Sequence, residues 1–302
     1  MHWYRVMQCL RRWVQTIWIF LSNGFWLFPF TRSLYQGPLK IICAPGLNCY
    51  SCPASTSYCL LGSLQQLFAT IRFNLSMGSS FFGAYVLGSM GILAASLGRF
   101  ICGWACPFGL LQEILYALPT KKFSIYPSLR YGKYLFLILF IFFLPLFIVH
   151  DNGLGYPWFC KYICPAGTLE AGLPMLALTP YLRAAAGLLF LSKLLILLAY
   201  LGWSTCSSRP FCRTTCPLGA FYGLFNRVSL VRLQLDPQRC TNCKACHSVC
   251  PVEIHFNETP NSPECINCLK CMTEACTFNA ISVDLAGFKL YPHSTQSVNH
   301  HP

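Results

Sequence analysis

A short cysteine pattern that recurs four times constrains this chain more than any other feature. The copies read CLLGSLQ from residue 59, CPFGLLQ from 106, CPAGTLE from 164 and CPLGAFY from 216. In the last three copies another cysteine lies four residues earlier, at Cys102, Cys160 and Cys212. We call each copy a cassette. Because each cassette follows an apolar stretch, the sequence predicts internal duplication of one unit.

Four apolar stretches are long enough to be candidate membrane spans. They lie at about 13–30, 80–97, 134–149 and 185–203. A span needs about 20 mainly apolar residues, with about 17 as the lower edge. The first stretch has a basic flank but no small-x-small cleavage site, so we expect a retained anchor. We therefore predict an α-helical membrane protein whose residues 1–231 form a four-span bundle with internal repeats.

The charge distribution agrees with a membrane protein and gives an orientation. Only 10% of the residues are charged, against about 25% in an average soluble domain. The excess of Lys and Arg lies in the apolar part, so we do not expect nucleic-acid binding. With four spans, and counting up to residue 231, eleven basic residues fall on the side of both termini and five on the other. Because cytoplasmic loops are enriched in Lys and Arg, we expect both termini in the cytoplasm of a prokaryotic inner membrane, with lipid as a partner.

The C-terminal part carries two dense cysteine runs. Residues 240–251 read CTNCKACHSVCP, which has the C-x2-C-x2-C-x3-C-P spacing of bacterial ferredoxins. Residues 265–276 read CINCLKCMTEAC, in which Cys276 comes one residue late and Thr277 replaces the usual proline. A zinc site usually pairs two C-x2-C knuckles across a longer gap, and structural disulfides are rare in the cytosol. An iron–sulfur site is therefore the favoured interpretation.

Together the two runs resemble a bacterial-type ferredoxin domain with two [4Fe–4S] clusters, a small α+β fold, which we place at 232–284. The resemblance implies two ligand sets. They are Cys240, Cys243, Cys246 and Cys276 for one cluster, and Cys265, Cys268, Cys271 and Cys250 for the other. We expect His247 to face solvent in a loop, and residues 285–302 to be a disordered tail.

The chemistry of the C-x3-C-P-x-G pattern also favours a cluster. Two thiolates one helical turn apart lie on one face, and the proline begins the next helix, where its missing N–H costs nothing. The amides at that helix start would stabilise thiolates and the cluster's negative charge. The glycine would let the backbone approach inorganic sulfide. The alternative, buried structural cysteines at a helix start, could explain one copy more easily than four.

If one span separates successive cassettes, the second and fourth share the cytoplasmic side. Their cysteines, Cys102, Cys106, Cys212 and Cys216, then form one set. On the outer side the candidates are Cys49, Cys52, Cys59, Cys160 and Cys164, with Cys43 as a sixth. Four suffice for one cluster, and the choice among them stays open. We thus expect two clusters in the membrane domain, and structural roles for Cys9 and Cys206.

The motifs CGWACP and CRTTCP, several spans and the C-terminal ferredoxin runs resemble membrane-bound polyferredoxins of the NapH/NosR type. The resemblance covers nearly the whole chain. It implies electron transfer between quinol or cytoplasmic donors and periplasmic reductases, or a related role in redox maturation. NosR relatives also carry a flavin domain, but this chain has no room for one and no S-G-A-T-like attachment motif, so we expect no flavin. His150 has no partner for a bis-histidine haem, so we expect no haem.

The sequence hypothesis is therefore a transmembrane relay without a substrate site of its own. The hydrocarbon core is about 30 Å thick, so we expect clusters at both faces, and redox protein partners on one or both sides. One alternative is quinol oxidation, for which Glu113, Glu170, His150 and Lys193 are the candidate polar residues. Glu113 and Glu170 are taken to occupy equivalent places after C-P-x-G. Another alternative is an assembly factor for a second metalloenzyme.

Overall fold

The protein is mainly helical. The computed structural model describes residues 2–31, 33–76, 78, 83–149, 154–184 and 186–290. The longer helices are His2–Ser22, Leu60–Ser76, Ala84–Leu97, Pro107–Tyr116, the continuous helix Pro127–Phe147, Leu188–Cys206 and Pro217–Phe225. Shorter helical segments are Phe28–Thr31, Pro38–Ile41, Phe100–Trp104, Phe159–Ile163, Pro165–Gly167, Thr168–Gly172, Leu173–Leu178, Pro180–Ala184, Pro210–Thr214, Ala245–Ser248 and Cys271–Ala275.

By length and composition, two of the described helices could cross a membrane. They are Pro127–Phe147 and Leu188–Cys206, which overlap the predicted spans 134–149 and 185–203. Only 11% of the most apolar window of Leu188–Cys206 is buried, so this helix presents its apolar side chains outward. Ala84–Leu97 is a shorter apolar helix within the predicted span 80–97, of which residues 80–82 lie outside the described part. The four-span topology stays a prediction.

The first predicted span, 13–30, is wrong in its bounds, because the helix runs from His2 to Ser22 and the chain then turns. This helix has its polar side chains on the face toward the protein and its apolar side chains on the outer face. Gln8, Arg11 and Gln15 are buried on its inner face, whereas apolar side chains such as Trp13 and Ile17 are more than half exposed. Residues three and four apart share a helix face. The helix therefore offers polar groups to the protein and an apolar surface to its surroundings.

A three-stranded antiparallel sheet contains the strands Val231–Leu235, Ile281–Leu285 and Phe288–Leu290, in that order. The first strand begins at the predicted boundary of the ferredoxin domain. The last two are joined by Ala286 and Gly287, both at positive φ, as a tight hairpin requires. The predicted disorder of 285–302 is therefore wrong for 285–290, and residues 291–302 lie outside the described part. A separate parallel pair joins Cys43–Ala44 to Tyr58–Cys59.

The C-terminal part packs directly on the helical part. Asn226 Nδ2 donates to the carbonyl of Cys265 at 2.6 Å, and Gln8 Nε2 donates to that of Cys268 at 3.2 Å. Gly103 is the closest backbone contact, because a Cβ there would clash with the carbonyl oxygen of Ile266. The two predicted domains therefore share a buried interface with no room for an added methyl group.

We expect Gly103→Ala to destabilise this interface by about 1–3 kcal/mol, the usual cost of overpacking. Gly91→Ala is the matched control, because a Cβ at Gly91 would meet nothing within 4 Å and alanine favours a helix. Thermal unfolding of the two variants in detergent measures the difference. Equal Tm values would contradict the tight interface.

Candidate metal centres

Sixteen of the twenty cysteines gather into four sets of four, which we name here. Set A is Cys240, Cys243, Cys246 and Cys276. Set B is Cys250, Cys265, Cys268 and Cys271. Set C is Cys102, Cys106, Cys212 and Cys216. Set D is Cys49, Cys59, Cys160 and Cys164. All twenty cysteines are free thiols.

Sets A and B are the quartets that the ferredoxin resemblance implies. Set A lines a cavity of about 30 Å³, and the three second-run cysteines of set B are buried. The late position of Cys276 has a structural cause. Residues Cys271–Ala275 form a π-helical turn, and the N–H of Cys276 donates to the carbonyl of Cys271 five residues earlier. A π turn takes up one extra residue, so Cys276 still reaches set A.

His247 is not a solvent-facing loop residue, so that prediction is wrong. It lies half-buried in the short helix Ala245–Ser248, and its ring stacks on His255 with centroids 4.0 Å apart. Nδ1 also lies 3.2 Å from the carbonyl oxygen of Ile254. These contacts give the ring of His247 a packing role.

In every cassette the second cysteine caps the start of a helix. The helices begin at Leu60, Pro107, Pro165 and Pro217, directly after those cysteines. The glycine three residues on donates its N–H to the sulfur, at 3.4 Å for both Cys164 and Cys216. The same bond lowers the pKa of Cys106 and Cys59, although burial raises both and brings that of Cys106 to about 12. The roles predicted for the proline and the helix-start amides are confirmed.

The first cysteine of each set-C cassette is held by an arginine of the other cassette. Arg209 Nη1 donates to the carbonyl of Cys102 at 2.5 Å, and Arg99 Nη2 donates to that of Cys212 at 3.4 Å. Both arginines are fully buried. The glycines leave room for them, since a Cβ at Gly109 would lie 3.2 Å from Arg209 Nη1. Sequence reasoning missed this pair, although the sequence has an arginine three residues before both Cys102 and Cys212.

In each cassette, the polar or aromatic residue six positions after the second cysteine forms a hydrogen bond to a residue outside its own cassette. Gln112 donates to the sulfur of Cys212 at 3.1 Å, and Gln65 accepts from the N–H of Cys160 at 3.2 Å. Glu170 accepts from the N–H of Cys49 at 2.6 Å, and Tyr222 donates to the carbonyl of Pro45 at 3.0 Å. Glu170 is thus the equivalent of Gln112. The expected equivalence of Glu170 and Glu113 is wrong, because Glu113 lies one residue further along.

Set D selects four of the candidate outer cysteines. Cys49, Cys59, Cys160 and Cys164 line one cavity of about 480 Å³. Cys52 is buried in the 49–55 loop, does not line this cavity, and lies near Lys40. Cys43 lies beside Tyr85. Cys9 is exposed and Cys206 is half-buried, and neither belongs to a set.

Sets C and D lie on the two sides of a single loop. The N–H of Leu47 reaches the sulfur of Cys106, and a Cβ at Gly46 would come within 2.8 Å of the carbonyl oxygen of Ala105. Cys49 of set D follows two residues after Leu47. The expectation of clusters separated by the whole hydrocarbon layer is therefore corrected, because the cassettes fold inward from the helix ends.

The distance between the levels of the cysteine sets can be estimated along the helix Pro127–Phe147. Lys133 pairs with Glu264, which precedes Cys265, and the carbonyl of Phe140 accepts from Gln65, which holds Cys160. Seven residues separate these two positions, roughly 10 Å at a rise of 1.5 Å per residue. The level of sets B and C thus lies close to that of set D.

The residues named as candidates for quinol oxidation lie in different environments. Glu113 binds Arg11 at 2.8 Å and Arg209 at 2.8 Å. Burial raises its pKa, but the two guanidinium groups outweigh this and hold the pKa at about 2. Burial raises the pKa of Glu170 to about 7, against the bond from Cys49. Lys193 Nζ donates to the carbonyl of Cys160 at 3.2 Å, and His150 lies outside the described part.

Comparison with known proteins shows that the chain contains 4Fe-4S binding domains. Two models described as 4Fe-4S binding domains match, one at residues 81–126, 134–173 and 189–235, and the other at 233–254. An uncharacterised protein of Methanocaldococcus jannaschii is 31% identical over 205 residues, which are 65% of this chain and 76% of the relative. The ferredoxin-type protein NapH of Haemophilus influenzae is 25% identical over 66% of this chain and 63% of its own length. This chain belongs to the NapH/NosR-type family of ferredoxin proteins.

Other members of the NapH/NosR family are longer. The regulatory protein NosR of Stutzerimonas stutzeri is 26% identical over 85% of this chain, but the match covers 34% of NosR. The putative electron transport protein YccM of Escherichia coli is covered to 50% of its length. No solved structure matches the chain significantly. Relatives of this chain are thus named as ferredoxin-type or putative electron transport proteins, and this chain itself matches 4Fe-4S binding domains.

We expect Glu113→Gln to destabilise the protein by about 3–5 kcal/mol, because Arg11 and Arg209 would lose their buried counter-charge. Since the pKa of Glu113 is depressed to about 2, its contribution is complete above about pH 4.5 and is lost as the pH falls towards 2. Thermal unfolding in detergent between pH 3 and 7 measures both effects. Glu258→Gln is the control, since Glu258 is exposed, and an equal Tm for the two variants would contradict this role of Glu113.

Proposed function

We propose that this protein is a membrane-bound relay that carries electrons between two ferredoxin-type clusters at sets A and B and a cluster at set D, through one at set C. Four [4Fe–4S] clusters, each held by four thiolates, fit the four sets. The observation that carries the proposal is their contiguity. Neighbouring sets are linked by a shared cysteine run, by a bond from Trp104 or by the loop at Leu47, so no step crosses a thick insulating layer.

The step from set A to set B is short because the first cysteine run supplies both sets. Cys246 and Cys250 are four residues apart, and a thiolate at Cys246 would interact electrostatically with one at Cys271. From set B the path enters set C through the segment around Trp104, whose Nε1 donates to the carbonyl of Asn267 at 3.0 Å. Asn267 lies between Cys265 and Cys268, and Trp104 lies between Cys102 and Cys106.

From set C the path continues through the loop that carries Leu47 to Cys49. Tyr222 lies beside the same loop, and its surroundings include Cys106 of set C and Cys59 of set D. Set D in turn lines a cavity that reaches the protein surface. We therefore place the exchange of electrons with a partner oxidoreductase at set D, and with a second redox partner at the exposed Cys243 of set A.

A membrane location supports this function. The two long apolar helices present apolar side chains to the surroundings, and so does the outer face of the helix His2–Ser22. We propose a multi-pass arrangement in a prokaryotic inner membrane with both termini in the cytoplasm. Sets A and B are then cytoplasmic, and set D lies toward the outer face.

We expect about sixteen iron atoms and as much acid-labile sulfide per chain in the anaerobically purified protein, four of each per cluster. Cys59→Ser should lose about one quarter of the iron and one EPR signal, because it removes a set-D ligand. Cys52→Ser is the matched control, and should keep its full iron content because Cys52 lies outside the set. Fewer than three clusters in the unmodified protein would contradict the relay, and loss of iron in Cys52→Ser would contradict the choice of Cys59.

The cavity at set D favours quinol oxidation as a second candidate function. It is large enough for a ring system, and Leu34, Met175 and Leu182 give it an apolar wall next to Lys193. Glu113 has no part in this activity, because its carboxylate is locked between two arginines. If quinol binds, adding a quinol to the oxidised protein in liposomes should reduce set D first. Absence of any cluster reduction would remove this candidate.

A further inference from the structure

Three cations make the same contact at three of the cassettes. Arg209 binds the carbonyl of Cys102, Arg99 that of Cys212, and Lys193 that of Cys160. In each case the carbonyl belongs to the first cysteine of the cassette.

Duplication of the chain does not explain the third contact. Arg99 and Arg209 occupy the same position relative to their own cassettes, but Lys193 comes from the apolar helix Leu188–Cys206. A lysine within such a helix is costly. Its ammonium group lies at the wall of the cavity that holds Cys160 and Cys164. An unrelated residue thus supplies at set D the charge that the arginines supply at set C.

A purely structural explanation would be that the cations satisfy carbonyl groups near helix ends, which is common for basic side chains. That would account for all three contacts, since Cys102, Cys212 and Cys160 each lie in a five-residue helix. It does not account for the unequal charge around the two sets.

Around set C, buried positive charge is in excess. Glu264 is shared by Arg99 and Lys133, and Glu113 is shared by Arg209 and Arg11. Each group has two basic side chains and one carboxylate. The Glu113 group, whose two arginines stay charged, carries one net positive charge. All four cations are essentially inaccessible to solvent.

Around set D the balance differs. Lys193 contacts Cys160, but the carboxylate of Glu170 accepts the N–H of Cys49 on the opposite side of the set. Lys40 also lies within electrostatic reach of Cys49, but it is partly exposed to solvent. Set D is therefore flanked by two lysines, one of them partly exposed, and by one carboxyl group. Each set has four thiols and helix-start amides, and the two sets differ in this fixed charge and in the bond from Gln112 to the sulfur of Cys212.

A cluster held by four thiolates is anionic, and its reduction potential depends on nearby charge, burial and hydrogen bonds to sulfur. Fixed positive charge stabilises the reduced form more than the oxidised form, because reduction adds one negative charge. We propose that Arg99, Arg209 and Lys193 are the counter-charges that set the reduction potentials at sets C and D, and that set C is the more readily reduced of the two. This inference rests on the proposed function, in that it requires a cluster at each set.

The test is a potentiometric titration followed by EPR, with anaerobically purified protein in nanodiscs. Signals of sets C and D are assigned by their loss in Cys216→Ser and Cys59→Ser. We expect the midpoint of set C to be the more positive in the unmodified protein. Lys193→Met should shift the midpoint of set D to a more negative value and leave that of set C unchanged. Lys193→Arg, which keeps the charge, should restore it.

The matched control is Lys161→Met. Lys161 directly follows Cys160, but its ammonium group lies over the ring of Tyr156 at 4.0 Å. We expect its midpoint shift to be much smaller than that of Lys193→Met. Equal shifts for the two variants, no shift in Lys193→Met, or a set D more readily reduced than set C would each overturn the proposal.

Loss of the set-D cluster in Lys193→Met would be examined with Lys193→Gln, which keeps a donor without the charge. Loss in both variants with retention in Lys193→Arg supports the counter-charge, whereas loss in all three overturns it. The proposed function fails separately, if the unmodified protein holds no cluster at set D. Iron and sulfide content of the unmodified protein decides that point before any variant is made.

Discussion

The sulfur that caps a helix start is the interaction on which the rest of the structure depends. In each cassette the second cysteine precedes the first helical residue, and its sulfur accepts the N–H of the glycine three positions on. A helix start carries a partial positive charge and unsatisfied N–H groups. The bond therefore fixes the direction of the sulfur, stabilises negative charge on it, and orients the helix that follows.

Pairing of cassettes follows from that orientation. The residue six positions after the capping cysteine lies less than two turns along the new helix, on a face that meets the partner cassette. Gln112 uses this place to bind a sulfur of set C, and Gln65 and Glu170 use it to hold backbone N–H groups of set D. The same local geometry thus builds two centres with different polar groups, which is how a duplicated unit can acquire two electrical environments.

The sequence predicts the parts of this architecture that depend on local spacing. Three of the quartets, the role of the proline and the α+β character of the C-terminal domain are readable from it, because thiol spacing and helix starts are short-range properties. The fourth quartet stayed open among several candidate cysteines. The family relationship follows from the same motifs. The choice of Cys59 over Cys52 was not accessible, since it depends on the path of the chain between the 49–55 loop and the strand Tyr58–Cys59. Nor was the partner of Glu113, because Arg11 lies 102 residues away in sequence.

The helix His2–Ser22 has a consequence for how the protein is made. Gln8, near one end, binds the carbonyl of Cys268, a residue 260 positions later, and at the other end the carbonyl of Ser22 accepts from Asn48 and Thr56. Its inward polar face therefore stays uncovered until the ribosome has passed residue 268. An N-terminal fragment that ends before residue 268 would therefore lack one of the contacts that hold this helix in place.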